Sequence, residues 1–366
     1  MWRIVVQGTA PGALRLGGRF ALTTVLAIAA GCAHSVRMSP DVRIRPCGAV
    51  VDLAGRPLDR SLLSWTSPDH VEERRKLDAW CDTVGPAILA QSRPPVRLPS
   101  DRLVIVGWNV HLGAGDVVGL IGELRNGRVA GVDPDAPLVL MLQETFRAGD
   151  LVPPFSAGTP APPRIAPGRS RQDVLDLAAA SGFNVFYLPT MRNGRGTDVR
   201  EDRGLAILSS LPLDKVQAFE LPLERQRRPA AAVVVRLASS SGTELTLRLI
   251  DAHFESRSGA RRLWLGSPHA RNRQGQALSA ALDADVPTVL EGDLNTWANR
   301  EPVVESLRRR FEPCTDHRPT FAAGLRLDWF FSRLPQGWTT KCWRLDRKYG
   351  SDHYPIVATV QKLGSG

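Results

Sequence analysis

The sequence predicts a mixed α/β fold, and three observations predict it. Six short apolar runs are rich in branched or aromatic residues and bounded by Gly, Pro, Asp or Asn, as buried strands are. They are Leu103 to Val106, Pro137 to Leu142, Leu245 to Ile250, Val286 to Leu290, Leu327 to Phe331 and Tyr354 to Val360. Ahead of them, Pro68 to Leu89 has helical spacing, with Val71, Leu77, Trp80, Val84 and Ile88 able to share a face. Finally, 366 residues with 43% hydrophobic content and nine Trp can bury one large core or two modest ones.

Taken in order, the chain begins with an export signal and not a fold element. Arg3, Arg15 and Arg19 precede an uncharged stretch, Phe20 to Ala30, that is too short to span a bilayer. Ala29-Ala30-Gly31-Cys32 closes it and resembles a bacterial lipobox, in which the Cys becomes the lipidated first residue of the mature protein. Ordinary cleavage at Ala27-Ile28-Ala29 is the alternative. Removing residues 1–31 deletes three Arg and no acids, so the formal charge goes from +10 to +7, still basic enough to favour polyanions or an anionic membrane surface. With Cys32 acylated, Cys47, Cys81, Cys314 and Cys342 remain, an even number in an exported chain. Sequence order suggests Cys47 with Cys81 and Cys314 with Cys342 among three possible pairings, against free buried thiols.

A short polar tether leads to Cys47, and Gln91 to Pro99, with three prolines, ends the helical stretch. Residues 32–97 are therefore expected as a tether and helical extension, pinned by a disulfide against a domain spanning 98–362. Inside that domain, Val152 to Pro167 holds six prolines and reads as an irregular surface loop. Two loops are rich in arginine. One carries Arg192, Arg195, Arg200 and Arg203; the other carries Arg257, Arg261, Arg262, Arg271 and Arg273, with Trp264 and His269 between them. Guanidinium forks match phosphate oxygens and an interleaved Trp can stack, so these loops could wall a phosphate-binding groove. A chain with 42 Arg against 5 Lys explains the same residues by composition.

Polar clusters sit at the ends of the apolar runs: Trp108-Asn109, Gln143-Glu144, Asp251-Ala252-His253, Gly292-Asp293-Leu294-Asn295, Leu327-Asp328-Trp329 and Ser351-Asp352-His353. Hydrolysis of a phosphoester needs an activated water, charge relief on the phosphoryl oxygens and a proton or metal for the leaving oxygen. Carboxylates, amides and imidazoles delivered to one rim supply those groups. Any one cluster alone is more simply a capped turn or a satisfied rim residue.

In this order and spacing, over roughly Leu98 to Gln361, the clusters resemble those of the endonuclease/exonuclease/phosphatase superfamily, which includes pancreatic-type DNase, abasic-site endonucleases, sphingomyelinases and inositol polyphosphate phosphatases. Gly204 to Ser210 matches a strand of the second sheet, and Arg273 to Leu278 the opening of the helix before Asp293. The resemblance implies a four-layer α/β sandwich: two mixed sheets packed face to face, helices outside, and the site at one end of the sheets. It implies that Glu144 holds Mg²⁺ or Mn²⁺, with Asn109 near metal and phosphate, and Asp352 as a second metal contact or an orienter of His353. His353 and Asp328 match the family's His-Asp pair, in which the carboxylate fixes the tautomer and raises basicity. Asp293 would position or activate the attacking water and Asn295 stabilise phosphoryl charge, both facing one way because alternate residues do. His253 matches a second family histidine, with Glu201 or Asp202 as its carboxylate partner. His111, His269 and His317 are read as surface or structural residues.

The functional expectation is metal-dependent phosphoester hydrolysis outside the cytoplasm. A phosphodiesterase or nuclease stands first, with Arg203, Arg257 and Arg273 as substrate contacts and Cys32 anchoring a monomeric enzyme to a membrane. The alternatives are a phosphomonoesterase or phospholipid head-group hydrolase, and a non-catalytic envelope lipoprotein that keeps the fold as a binding module.

Overall fold

The apolar runs build two eight-stranded mixed sheets in a computed structural model that describes residues 36–41, 46–91, 99–168, 170–240, 242–256 and 267–364. The first strands are β1 (Met38–Asp41), β2 (Val50–Val51), β3 (Leu63–Pro68), β4 (Ala87–Ala90), β5 (Arg102–Asn109), β6 (Leu138–Ala148), β7 (Asn184–Arg192) and β8 (Glu201–Ser209). They are followed by β9 (Lys215–Phe219), β10 (Ala230–Ala238), β11 (Glu244–His253), β12 (Thr288–Asp293), β13 (Glu312–Pro313), β14 (Asp328–Arg333), β15 (Trp338–Arg344) and β16 (Ile356–Lys362). The helices are α1 (Val71–Cys81), α2 (Val117–Arg125), α3 (Val174–Ser181), α4 (Ser267–Ala281) and α5 (Pro302–Arg308). Sheet one runs β1-β3-β9-β10-β11-β12-β14-β13 and sheet two β15-β16-β5-β6-β8-β7-β4-β2.

The period of two along each strand sets the layers. In β5, Leu103 and Ile105 face the other sheet, where they join Met141, Ile207, Val233, Leu247, Val289 and Phe330 in one core. Val104, Val106 and Trp108 face the opposite way and pack under Val117, Leu120 and Leu124 of α2 and Leu177 of α3. On sheet one, Ile250, Leu290, Trp329 and Phe331 lie under Leu278 of α4 and Val303 and Leu307 of α5. Helix, sheet, sheet, helix is therefore the expected four-layer sandwich. Truncating a central member such as Ile105 to Ala would cost about 2–5 kcal/mol through lost transfer energy and the cavity left behind.

The segment before residue 98 departs from expectation. Its helix ends at Cys81, because Gly85-Pro86 cannot continue it, and Ile88 belongs to β4, paired with Tyr187. β1 and β3 extend sheet one through the parallel pair β3–β9, while β4 extends sheet two through β7. The extension is thus one helix and four strands woven into both sheets, with Ser35–Gly366 one compact unit, and not a helical flap. Cys47 joins Cys81 and Cys314 joins Cys342, with Cα separations of 5.3 and 5.8 Å. The expected lipidation site Cys32, the signal segment and Arg257 lie outside the described residues.

Candidate active site

Strand register alone assembles most of the site. The parallel pair β11–β12 sets His253 beside Asp293, and the antiparallel pair β12–β14 sets Asp293 beside Asp328. Three neighbouring strands thus place imidazole, carboxylate and carboxylate in one row, with successive strands about 4.8 Å apart. From sheet two, β5 ends on Asn109, paired in parallel with Gln143 of β6. His353 arrives on the turn before β16, where the Trp108 indole donates to its carbonyl (3.1 Å) and the Ser351 hydroxyl donates to the Asn109 carbonyl (2.7 Å).

Asp293 is the hub. Its Oδ2 accepts from the Asn109 amide at 3.0 Å and lies 3.5 Å from His253 Nε2 and 3.9 Å from His353 Nε2. Its Oδ1 accepts from the Asn295 backbone at 2.9 Å. Burial, then the charge of Asp328, pushes its carboxyl up to about 6 against the opposing pull of His353 and Asn109. His353 Nδ1 meets Asp328 Oδ2 at 2.8 Å. Burial alone would lower this histidine, but the charge and hydrogen bond of Asp328, reinforced by Asp293 and Asp352, push it up to about 10. His253 goes the other way: burial and the charges of Arg228, Arg203 and His353 pull it well below its ordinary value. At neutral pH the row therefore holds an ionised Asp293, a cationic His353 and a neutral His253.

The remaining expectations sort by geometry. Asn295 has a left-handed backbone (φ 53°) and gives its side chain to the Phe254 carbonyl (3.1 Å), so it braces Asp293 instead of reaching for phosphate. Neither expected partner of His253 serves it. Asp202 shares the face of Ala206 and Leu208, away from the other sheet, and is buried against Arg147 and the Tyr187 hydroxyl; Glu201 is held by Arg171 and Asn193. The carboxylate beside His253 is Asp293 itself. Arg273 pairs with Glu73 and Glu224, both at 3.0 Å, which removes it from the expected substrate contacts. In the first arginine loop, Arg192 and Arg195 donate to carbonyls of the proline-rich loop, Pro153 and Ala161, and Arg200 pairs with Asp150. Arg203 does reach the site, where it lines a small cavity with Glu144, Thr190, Gly204, Leu205, Arg228 and His253.

Glu144 sits at a bulge of β6 with φ 54°, half-buried at the rim. Asp352, also half-exposed, lies 3.3 Å from His111 Nδ1. Among the described residues, the acidic and histidine ligand atoms that fall within 4.8 Å of one another are those of Asp293, Asp328 and His353, without the expected Glu144 and Asp352. The donors nevertheless suit a hard divalent cation: several carboxylates converge at this end, and Asp328 Oδ1 is buried with no hydrogen-bond partner.

Several site residues carried no usable sequence signal. Thr320 Oγ1 accepts from the backbone of Leu327 and Asp328 (3.0 Å each), and the Phe321 ring lies 4.9 Å from that of His353. Arg228 lies in the run Arg225-Gln226-Arg227-Arg228, where composition hides it.

Residues 106–353 match the profile of the endonuclease/exonuclease/phosphatase family, and the chain belongs to that family. Its fold is similar to a crystal structure of an endonuclease/exonuclease/phosphatase from Beutenbergia cavernae, at 19% identity, 72% coverage of each chain and a TM-score of 0.50. A functionally unknown conserved protein from Enterococcus faecalis (19% identity, 71% and 99% coverage, TM-score 0.48) and the human nocturnin catalytic domain (15%, 74% and 96%, 0.46) are more distant likenesses. No curated protein matches the chain. Members of that family generally hydrolyse phosphoester bonds.

Proposed function

We propose that this protein is a divalent-metal-dependent phosphoesterase of the bacterial cell envelope, using Asp293 to take the proton of the attacking water. The observation that carries this reading is the Asp293–His353–Asp328 arrangement, in which a buried carboxylate and an imidazolium stand 3.9 Å apart. Asp293 Oδ2 accepts the water proton, the resulting hydroxide oxygen bonds to phosphorus as the P–O bond to the leaving group breaks, the leaving oxygen takes a proton from solvent water, and the His353 Nε2–H faces the negative charge that develops on the phosphoryl oxygens. Asp328 keeps the imidazole oriented and charged through Nδ1. Asn109 orders Asp293, and neutral His253 can accept or pass a proton on its other side.

A bound Mg²⁺ or Mn²⁺ would supply Lewis-acid polarisation of the phosphoryl group. Glu144, Asp352 and Asn109 are the oxygen donors assigned to it, with the unpartnered Asp328 Oδ1 as a further oxygen at this end, because Mg²⁺ prefers oxygen. Export through residues 1–31 and acylation of Cys32 belong to the same proposal, tested by labelling with a radioactive fatty acid and by its loss in Cys32→Ala. Of the described loop arginines Arg203 faces the site, while Arg257, Arg261 and Arg262 lie outside the described residues.

The test is turnover with Mg²⁺ or Mn²⁺ on p-nitrophenyl phosphate, bis-p-nitrophenyl phosphate, sphingomyelin, RNA and plasmid DNA, beside Asp293→Ala and His353→Ala. Metal-dependent hydrolysis lost in both variants supports the proposal, and plasmid cleavage as the best activity returns the nuclease reading. Silence on every substrate leaves a binding module.

A further inference from the structure

Asp328 and His353 meet at 2.8 Å although they stand on different sheets, one opening β14 and the other on the turn before β16. The ladder of a single sheet does not set that distance. The loop from Cys314 to Leu327 spans the two. Its first end is tied to β15 of sheet two by the Cys314–Cys342 disulfide, and to sheet one by the Cys314 backbone, which donates to the Phe330 carbonyl at 2.8 Å. Its other end runs directly into Asp328.

Residues 320–322 lie along the turn that carries His353. The Tyr354 backbone donates to the Thr320 carbonyl at 2.7 Å and the Ala322 backbone to the Asp352 carbonyl at 2.9 Å, so both neighbours of His353 are held. Between these bonds the Phe321 ring lies 4.9 Å from the imidazole, tilted by 55°. Thr320 also reaches the acid: its Oγ1 accepts from the backbone N–H groups of Leu327 and Asp328, at 3.0 Å each. Thr320 is 2% exposed and Asp328 1%, so water has little access to replace those bonds. One residue therefore bonds to the chain on both sides of the Asp328–His353 contact, by its carbonyl on the histidine side and by its hydroxyl on the acid side.

We propose that Thr320 is a positioning residue for the reaction, its hydroxyl oxygen holding the Asp328 main chain where the carboxylate keeps the His353 imidazole aimed at Asp293. The inference rests on the phosphoesterase reading above. Thr320 touches no reacting atom and acts through Asp328. Misplacement by about 1 Å at a reacting centre costs about 10²-fold in rate, so a residue that fixes this contact has kinetic weight. A hydroxyl oxygen has two acceptor lone pairs and takes both N–H groups at once, whereas a valine of the same shape takes neither. The loop keeps other ties without this hydroxyl. Arg318 pairs with Asp316 and Asp346 at 2.8 Å each, and the Thr320 and Phe321 backbones both donate to the Leu325 carbonyl at 2.9 Å. Removing the oxygen should release Asp328 without unravelling the loop.

The experiment uses the purified full chain, labelled with ¹⁵N-histidine, as wild type, Thr320→Val, Thr320→Ser and Thr320→Cys. Turnover with Mg²⁺ or Mn²⁺, on whichever of p-nitrophenyl phosphate and bis-p-nitrophenyl phosphate the wild type hydrolyses faster, gives kcat and KM. NMR of the His353 ring N–H, assigned by its loss in His353→Ala, reads the contact with Asp328 without substrate. Thr320→Val should lower kcat by about 10–10²-fold, leave KM within about twofold, and shift or broaden the ring signal. Thr320→Ser keeps the oxygen and should hold kcat within about threefold of wild type, with the signal in place. If the valine variant does not fold, Thr320→Cys, whose sulfur is a weak acceptor, should still lower kcat by about threefold to tenfold. Wild-type kcat in the valine variant (or in the cysteine variant that replaces it), a loss carried by KM, a serine variant as slow as the valine one, or an unmoved ring signal overturns the role. A wild-type chain that hydrolyses no phosphoester overturns the reaction proposed above, while the ring signal still decides whether Thr320 holds the pair.

Discussion

Two pairs of acids lie side by side on the same strands and behave in opposite ways. At the rim, Asp293 and Asp328 meet the His353 imidazole. Two residues deeper along β11 and β12, Asp251 and Glu291 are register partners in the closed core. Among the described residues they are bridged by the Gln143 amide, whose Nε2 donates to Asp251 Oδ1 at 2.7 Å and Glu291 Oε2 at 2.8 Å. Asp251 Oδ2 and Glu291 Oε1 have no hydrogen-bond partner among the described residues. Burial pushes Asp251 up to about 8, and burial together with the charge of Asp251 holds Glu291 well above its ordinary range. At the rim the His353 cation draws the Asp293 carboxyl back down against burial; the core pair has no such cation and is held protonated. What separates the carboxylate proposed to react from the structural one is the counter-charge, since both are buried carboxyl groups.

The largest expected effect follows from removing the charge at the hub. Asp293→Asn preserves shape and the Asn109 contact region but cannot accept a proton, so kcat/KM should fall by about 10³-fold or more. Circular dichroism should be unchanged. A loss smaller than about tenfold would show that the rim acid is no more chemical than the core one.

Asp328→Asn comes next. The amide oxygen can still accept from His353 Nδ1, yet the negative charge that sustains the imidazolium is gone, and activity should fall by about 10²-fold. Full activity in this variant would break the claim that a paired cation defines the rim site.

Much of this contrast was hidden in the sequence for physical reasons. The strand ends carrying Asn109, His253, Asp293, Asp328 and His353 were legible because period-two apolar runs stop there and register then aligns them. Gln143 and Asp251 stood in the same polar clusters, but one residue along a strand reverses the face, and nothing local tells a core-facing acid from a rim-facing one. The extension before residue 98 was misread because short strands such as β2 and β4 acquire their pairing only from β7 and from each other. Arg228 could not be separated from its arginine neighbours, since what distinguishes it is its place beside His253 and Glu144, a property of the tertiary surroundings.

A third prediction tests how tightly the core pair is fitted. A Cβ on Gly107 of β5 would lie 2.0 Å from the Glu291 carboxyl carbon. Gly107→Ala should therefore cost about 3 kcal/mol of stability, the upper range for overpacking. Glu291→Ala in the same chain should recover at least about half of that loss, a non-additivity readable from chemical denaturation. Additive losses would mean that the sheets shift apart freely at this point.

The smallest effect is also the one with a definite sign. Asp251 is pushed up to about 8 in the folded protein, from an ordinary value of 3.8. Between those values the folded state holds a proton that the unfolded chain releases, so stability is full below about pH 4 for this group and declines as pH rises towards 8. Asp251→Asn removes the titration while keeping a side chain that Gln143 can meet. The variant should match wild type near pH 4.5 and exceed it by about 1–2 kcal/mol at pH 8.5, a discounted share of the full linkage because the proton is shared with Glu291. Thermal midpoints at the two pH values measure the difference. A variant less stable than wild type at pH 8.5 would mean that Asp251 is ionised and compensated in the core, which would erase the distinction between the two pairs.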